Sequence, residues 1–597
     1  MSDANPLISD RDIEFLLYEV LDVEALCKLP FFAEHSRDTF DPFVDGARRL
    51  ARKQLYPTYR AMDMEPPRFI DGSILLHPLV KSMYPRLVDL GVLSATRPED
   101  VGGVQMPQVV AVMGSTYLMA ANLSLFGFVM LTNGAAHLIE AFGDDFCKRE
   151  FMERMYSGEW TGTMALTEPQ AGSSLGDVTT RATANDDGTY SIKGTKIFIS
   201  GGDHDLSENV VNMTLARIEG APAGTRGISL FAVPKRRHEN GELVANDLTT
   251  SQMIHKIGWR GLPSVALNFG DNDDCRGWLI GEPNNGLRYM FQMMNSARLW
   301  VGAHGVATAS VAYQQSLAYA KDRTQGRPAG VRDPAIQPVA IIEHADVRRM
   351  LLKQKAIVEG GMSVIGTTAR YLDLAEHGDG AAQEQANLIV GLLTPVAKSF
   401  PAERGFESNA LALQIHGGYG YTSEYLPESW LRDQKLNSIH EGTTGIQGLD
   451  LLGRKVVGQG GAGLRALVAE IEISVEQARE ADVDGTWCDQ LAESCQTVAG
   501  LTMNLGQKGM TGDVDGMLRH STDYLELFST WVVAWQWLSQ AAAAKRGLAA
   551  RADDAFYMGK LAAAQYWFAN ELPRVALLAE RCAAADDAYA RMQPDWF

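Results

Sequence analysis

Cysteine is scarce: six in 597 residues, at positions 27, 147, 275, 488, 495 and 582, with no C-x-x-C pair and no histidine at zinc-ligand spacing. That excludes a disulfide scaffold and a zinc ribbon, predicts no bound metal and suits a reducing compartment. Long apolar runs are also missing. No stretch reaches the ~20 uninterrupted apolar residues of a spanning helix, and even 525–544 is broken by Glu526, Ser529, Gln536 and Gln540. Positive charge is in deficit, 54 Lys and Arg against 73 Asp and Glu, for a net charge of −19 with no basic stripe. Nucleic acid is thereby excluded as a general partner. The N-terminus carries Asp10, Asp12 and Glu14 where a secretory or transit segment would be basic, so a cytoplasmic protein without membrane association is expected.

What is present is enough to build cores. Hydrophobic residues make up 46% and charged residues 21%, and at ~100 to 200 residues per domain the length calls for several domains. After an extension over 1–39, residues 40–159 have helical periodicity, as in Val109 to Met113 and on to Phe126 and Phe128. The pattern changes at Trp160. The turn pair Asp187-Gly188 leads into Tyr190–Ser200, which reads as two short strands, and Val210–Leu215, Ile228–Val233 and Ser264–Phe269 add more, giving a β domain over 160–281 of barrel or sandwich type. Residues 282–457 return to helix, of a length suited to a four-helix bundle. The stretch Gly458 to Gly463 reads as a flexible joint before a separate helical domain over 458–597. There Tyr524, Phe528, Trp531, Trp535, Leu538 and Ala542 recur at steps of three and four, predicting one helix face that packs in the core and a stop at Gly547.

Three stretches could carry chemistry. In Met164–Ser174 a strand-like run enters a loop of small residues whose amides and hydroxyls can hold an anion or a flat polar ring. Gln414–Tyr421 contains paired glycines that let a phosphate or another chain approach the backbone, but it sits amid helices and is not a dinucleotide-binding G-x-G-x-x-G. In Ile439–Gln447, Glu441 precedes a loop whose Thr443 can cap a helix starting near Ile446. A carboxylate there can act as a general base if it faces a proton that something else has made acidic. Taken singly, a proline-broken turn, a glycine C-cap and an acidic residue near a helix N-terminus account for them as well or better.

Together they resemble the acyl-CoA dehydrogenase family over roughly residues 40–455. T-E-P-x-A-G-S corresponds to Thr167–Ser173, G-T-K-x-x-I-[ST] to Gly194–Ser200, Q-I-x-G-G-x-G-[YF] to Gln414–Tyr421, and R-D followed by E-G-T to Arg432-Asp433 and Glu441-Gly442-Thr443, in the family's order. The resemblance implies an α+β multidomain fold: an N-terminal helical domain, a central β-barrel and a C-terminal four-helix bundle, here with an added helical domain. It also implies FAD as cofactor and α,β-desaturation of an acyl-CoA thioester, with Glu441 removing the α-proton while the β-hydride goes to the flavin. The Glu441 backbone N–H and a flavin hydroxyl would polarise the thioester carbonyl.

By the same correspondence Leu166, Thr167, Gly172, Ser173, Phe198 and Ser200 lie around the flavin, Ser173 also touching substrate. Phe198 stands in for the commoner tryptophan, Ser174 for aspartate and Ser200 for threonine. Arg323, Gln414, Gly417, Gly418 and Thr443 would complete the FAD site of a neighbouring subunit, implying a homodimer or homotetramer. Gly445 replaces the glutamine of E-G-T-x-Q, so one adenosine-side hydrogen bond is lost or moved to Gln447. Asn295 and Arg298 correspond to the CoA site, with Asn295 in place of aspartate, and His440 replaces an aromatic residue next to the base. Electron-transfer flavoprotein is the electron acceptor the family implies.

The long N-terminal segment, the added C-terminal domain and the text from Tyr419 to Val456 resemble the branch of the family acting on 3-(methylthio)propanoyl-CoA in dimethylsulfoniopropionate breakdown. A generic short- or medium-chain acyl-CoA dehydrogenase is the alternative. A flavin-binding scaffold associated with DNA, as in the family's alkylation-response flavoproteins, is disfavoured: from Gly460 onward there are 11 Lys and Arg against 19 Asp and Glu, the wrong sign for phosphate. The same sign opposes a membrane-surface role for the tail.

Overall fold

The computed structural model describes residues 5–597, the side chains of 292–295 excepted. The chain divides into two compact units: one of Asp38–Met106 and Tyr117–Ala297, the other of Pro107–Thr116, Arg298–Phe597 and the described part of Met1–Arg37.

The first unit is built on eight strands: β1 (Thr161–Ala165), β2 (Arg181–Ala184), β3 (Tyr190–Ser200), β4 (Val210–Ile218), β5 (Ile228–Pro234), β6 (Leu248–Met253), β7 (Ser264–Phe269) and β8 (Arg276–Ile280). The pairings β3–β8, β8–β5, β5–β4, β4–β2 and β2–β3 close a ring, with β1 added alongside β4, β7 alongside β3 and β6 beyond β7. This is the expected barrel, with no open edge within the ring. Where the sequence suggested two strands, β3 is a single strand of 11 residues. Gly194 does not break it; a Cβ there would lie 2.4 Å from Thr180 Oγ1, so the glycine marks a close approach of β3 to its neighbour. Within the helical stretch 40–159 there is also a small hairpin that periodicity does not reveal, Arg68–Ile70 with Ser73–Leu75.

Helix α1 (Leu123–Phe142) packs Ala135, Leu138 and Ile139 on Val211, Met213 and Leu230 of the barrel wall. It is the one helix among the described residues long and apolar enough to cross a membrane by length and composition, even though polar residues interrupt its apolar run. More than half of it is buried inside the protein. Its polar residues have internal partners: Thr132 Oγ1 accepts the Gly162 N–H, and Glu140 is paired with Arg97.

The second unit is helical. Its long elements are α2 (Gly286–Asp322, in this unit from Arg298 onward), α3 (Ala345–His377) and α4 (Gly380–His416), followed by α5 (Pro427–Lys435) and α6 (Thr444–Asp450). The C-terminal segment adds α7 (Ala462–Glu480), α8 (Gly485–Met510), α9 (Ser521–Ala550), α10 (Ala555–Tyr566) and α11 (Arg574–Ala584). α2 and α4 meet closely: a Cβ on Gly302 would lie 1.9 Å from Ala397 O. That carbonyl is available because Pro401, four residues on, has no N–H to offer it.

The joint at 458–461 has left-handed backbone at Gln459, Gly460 and Gly461, yet the helices beyond it do not stand apart. α9 packs on α3 and α4: Gln536 Oε1 accepts from Ser363 and Thr367, and Trp537 Nε1 donates to Ala356 O at 3.1 Å. The expected stripe from Tyr524 to Ala542 is buried, but α9 passes Gly547 and ends at Ala550. Gly547 is where the Tyr557 ring of α10 lies against the helix; a Cβ would come within 2.2 Å of it.

Candidate active site

The turn between α5 and α6 is conformationally unusual. Glu441 has φ of 52° and Gly442 of 84°, two consecutive left-handed residues. The arrangement needs glycine at 442, where a Cβ would lie 2.6 Å from Gln447 Nε2, and it strains a non-glycine residue at 441. Two buried side chains hold the turn. Gln447 Nε2 donates to Glu441 O at 3.0 Å, and Lys398 Nζ, from α4, donates to Gly442 O at 2.7 Å. Thr443 caps α6 as expected, its hydroxyl accepting the Ile446 N–H at 3.3 Å, although the helix begins at Thr444.

The Glu441 side chain reaches solvent, but protein crowds around it. That desolvation pushes its pKa up, against the pull of the Lys398 and Arg298 cations. Arg298 is 4% exposed and paired with Asp450 at 2.6 Å. Its guanidinium is held beside Asp450, and its charge is felt by Glu441. Neighbouring His440 is held well below the usual histidine range by burial, with the His304 and Lys398 fields adding to the effect. It is neutral at physiological pH.

The barrel presents a second group. In the pairing of β3 with β7, Ile197 and Phe198 together oppose Ala266 alone, a bulge with Phe198 at φ of 61°. The bulge turns the Phe198 ring outward, 62% exposed. Ile197 N donates to Thr167 O at 2.9 Å, joining this motif to Leu166-Thr167. Ser200 adjoins them, its carbonyl accepting from Thr163 at 2.6 Å. The loop beyond is pinned by Glu168, whose carboxylate accepts from the backbone and hydroxyl of Thr179 and Thr180 and from Lys196 Nζ at 2.9 Å. Burial works to raise the Glu168 pKa, but Lys196 and these donors outweigh it and bring it down to about 2. Gly172, Ser173 and Ser174 stay exposed. An outward aromatic ring beside hydroxyls and a small-residue loop suits a flat, polar, aromatic cofactor.

A third group lies at the ends of α2 and α4. The α4 helix stops at His416, with Gly417 at φ of 59°. Gln414, Gly417, Gly418 and Arg323 are all exposed, and the Arg323 guanidinium is 6.0 Å from the Tyr419 ring centroid. His416 is structural: it stacks on Tyr319 at 4.3 Å and shares a hydrogen bond with Ala412 O. The Gln447 amide is buried, its Nε2 bonded to the Glu441 carbonyl. Asn295 falls outside the described side chains. Lys398 belongs to none of the sequence motifs, although a lone lysine inside the apolar run Leu392–Phe400 is a signal of it. All six cysteines are free thiols, and no group of metal-ligating side chains occurs among the described residues.

A bulged barrel with an exposed aromatic, joined in sequence to a helical unit bearing a strained carboxylate turn, is the architecture of a flavin-dependent acyl-thioester dehydrogenase. Family profiles match consecutively: the acyl-CoA dehydrogenase N-terminal domain over 38–159, the middle domain over 163–272, the C-terminal domain over 284–456 and an acetyl-CoA dehydrogenase C-terminal-like domain over 467–593. The chain belongs to the acyl-CoA dehydrogenase family and is an enzyme of that class.

Among curated relatives it is 39% identical to 3-methylmercaptopropionyl-CoA dehydrogenase of Ruegeria pomeroyi, over 93% of this chain and 94% of the relative. It is 33% identical to a butyryl-CoA dehydrogenase of Syntrophomonas wolfei, over 96% of each. In fold it is similar to a Bacillus anthracis acyl-CoA dehydrogenase solved in complex with FAD, with a TM-score of 0.74 and 19% identity, covering 98% of this chain and 93% of that one. Butyryl-CoA dehydrogenase of Megasphaera elsdenii gives a TM-score of 0.57 at 24% identity and covers 70% of this chain and 98% of its own.

Proposed function

We propose that the protein binds FAD and oxidises 3-(methylthio)propanoyl-CoA to its 2,3-unsaturated thioester, with Glu441 as the base. The observation that carries the substrate is the 39% identity with the Ruegeria enzyme along nearly the whole of both chains, tail included. For the chemistry, support comes from the strained turn. Desolvation makes Glu441 a stronger base, while the Lys398 and Arg298 cations keep it ionised. Its left-handed backbone sets the direction of its own N–H, the donor proposed for the thioester carbonyl. FAD, when bound, accepts the hydride from Cβ.

Leu166, Thr167, Gly172, Ser173, Phe198 and Ser200 would hold the flavin, Phe198 by ring contact and the hydroxyls by hydrogen bonds. Arg323, Gln414, Gly417, Gly418 and Thr443 would serve the FAD of a second copy, so the active form is a homodimer or homotetramer. Ser173 and Asn295 would meet the substrate. The proposed acceptor of the reduced enzyme's electrons is an electron-transfer flavoprotein, and the proposed location is the cytoplasm.

A short-chain reading is favoured by the butyryl-CoA dehydrogenase relative. A thioether sulfur is close to a methylene in bulk and polarity, and one methylene in an apolar pocket discriminates by only ~1 to 3 kcal/mol. Anaerobic titration with a panel of acyl-CoAs, followed by flavin bleaching, separates the readings. 3-(Methylthio)propanoyl-CoA is expected to rank first, butanoyl- and hexanoyl-CoA close behind, and palmitoyl-CoA last. A best rate on a long or branched chain rejects the substrate and leaves the dehydrogenase.

A further inference from the structure

Lys398 is 0% exposed, lies in the middle of α4 and forms no ion pair with any described residue. A cation is costly to bury, and the hydrogen bond it makes could be made by a neutral donor. Its one hydrogen bond goes to Gly442 O, on the strained turn next to Glu441. Its surroundings are also built to hold it. Gly302 and the proline-freed carbonyl of Ala397 bring α2 and α4 together beside it, and Gln447 holds the adjoining carbonyl from the other side.

We infer that Lys398 is a positioning residue for the dehydrogenation: its ammonium fixes the left-handed Glu441-Gly442 turn, and its charge keeps the Glu441 carboxylate ionised inside a desolvating site. The inference rests on the reading of Glu441 as the base.

The charges around this carboxylate come from three sides. α4 contributes Lys398, whose charge is felt by Glu403 as well as by Glu441. α2 contributes Arg298, already neutralised in part by Asp450 of α6, and the neutral imidazole of His304. The turn itself contributes His440, also neutral. Lys398 is thus the cation near Glu441 that has no paired carboxylate of its own. Burial pushes its pKa down to about 8 in spite of Glu403 and Glu441, so the charge is present at neutral pH. A loosened turn would misdirect both the carboxylate and the N–H of Glu441, whereas loss of the charge alone would raise the pH at which Glu441 becomes a base.

The test is stopped-flow flavin reduction by one acyl-CoA across the stable pH range, on holoenzymes of wild type, Lys398→Met, Lys398→Gln, Lys398→Arg and Glu441→Gln. FAD content and affinity for the enoyl-CoA product are measured on each. Lys398→Met is expected to keep both, to lose about ten- to a hundredfold in plateau rate, and to move the acid limb of kcat/KM up by about one pH unit or more. A helix defect alone would not move that limb. Lys398→Arg is expected to leave the limb in place, and Lys398→Gln repeats the neutral case should the methionine variant not accumulate. A neutral variant whose limb and plateau match wild type, with Glu441→Gln inactive, overturns the inference alone. Wild-type turnover by Glu441→Gln overturns the base assignment and this inference with it.

Discussion

At the scale of single residues, the two carboxylates of the motifs are set apart by their surroundings. Glu441 is crowded by protein, and its pKa rises in spite of Lys398 and Arg298; Glu168 is buried among six hydrogen-bond donors including Lys196, and its pKa falls to about 2. A raised pKa makes a carboxylate the better proton acceptor and a lowered one the poorer. Glu441→Gln is therefore expected to retain FAD and acyl-CoA while losing about 10²- to 10⁴-fold in flavin reduction rate, which single-turnover kinetics separates from binding. Glu168→Gln should instead act on folding. It leaves Lys196, 0% exposed, without its counterion, and breaking such a pair costs about 3 to 5 kcal/mol, visible as a lowered midpoint of thermal unfolding. The native Glu168 pKa lies below the unfolded value, so its stabilisation is complete above the unfolded pKa, ~4.3, and fades as pH falls toward 2. The variant's unfolding midpoint should accordingly converge on wild type in acid.

At the scale of elements, the bulge in β3 stores strain in order to aim a side chain. An aromatic residue at positive φ costs about 1 to 3 kcal/mol, and Phe198 is the residue so held. Phe198→Gly should relieve the strain and remove the ring together, raising the apoprotein's unfolding temperature while weakening FAD binding. Phe198→Ala keeps the strained φ and loses the ring, so it should weaken FAD binding without the gain. Differential scanning calorimetry of apoprotein with FAD titration checks the opposed signs; equal behaviour of the two variants would mean that the bulge is not strained. Such features explain what was legible beforehand. Glu441, Phe198 and the Thr167–Ser173 loop could be proposed as site residues because each lies in a contiguous motif. The pairing of Arg298 with Asp450 and the bonds of Gln447 and Lys398 to the Glu441-Gly442 turn could not be foreseen, because spacing along a helix fixes which face a residue is on, not which distant partner it meets. For the same reason the sequence of Tyr190–Ser200 read as two short strands when Gly194 instead admits Thr180, the residue before β2, close to β3.

At the scale of the molecule, the tail is part of the unit that carries Glu441. Lys560 of α10, 0% exposed, bonds to Asp12 of the N-terminal helix Asp10–Glu14, to Glu359 of α3 at 2.7 Å and to Gln540 of α9 at 2.9 Å, while Lys355 also pairs with Glu359. Two lysines and two carboxylates balance in charge, and the ammonium of Lys560 also lies 5.1 Å from the Phe15 ring centroid and 5.6 Å from that of Trp537. Three segments remote in sequence thus meet at one buried cation, which ties the added helical domain into the unit of Arg298–Phe597. The cluster's two acids respond oppositely: burial raises the Asp12 pKa despite Lys560, whereas the Glu359 pKa, also opposed by burial, is brought down by Lys355 and Lys560. Lys560→Met should strand both acids in the interior at a cost of about 3 to 5 kcal/mol, so that at neutral pH the unit unfolds at lower temperature. Acidification should recover part of the loss, since a protonated carboxyl no longer needs the cation. Asp12→Asn, which removes one charge of the excess left by that substitution, should restore part of the stability when combined with Lys560→Met. A double variant no more stable than Lys560→Met alone would show that the cluster contributes through packing and not through its charge balance.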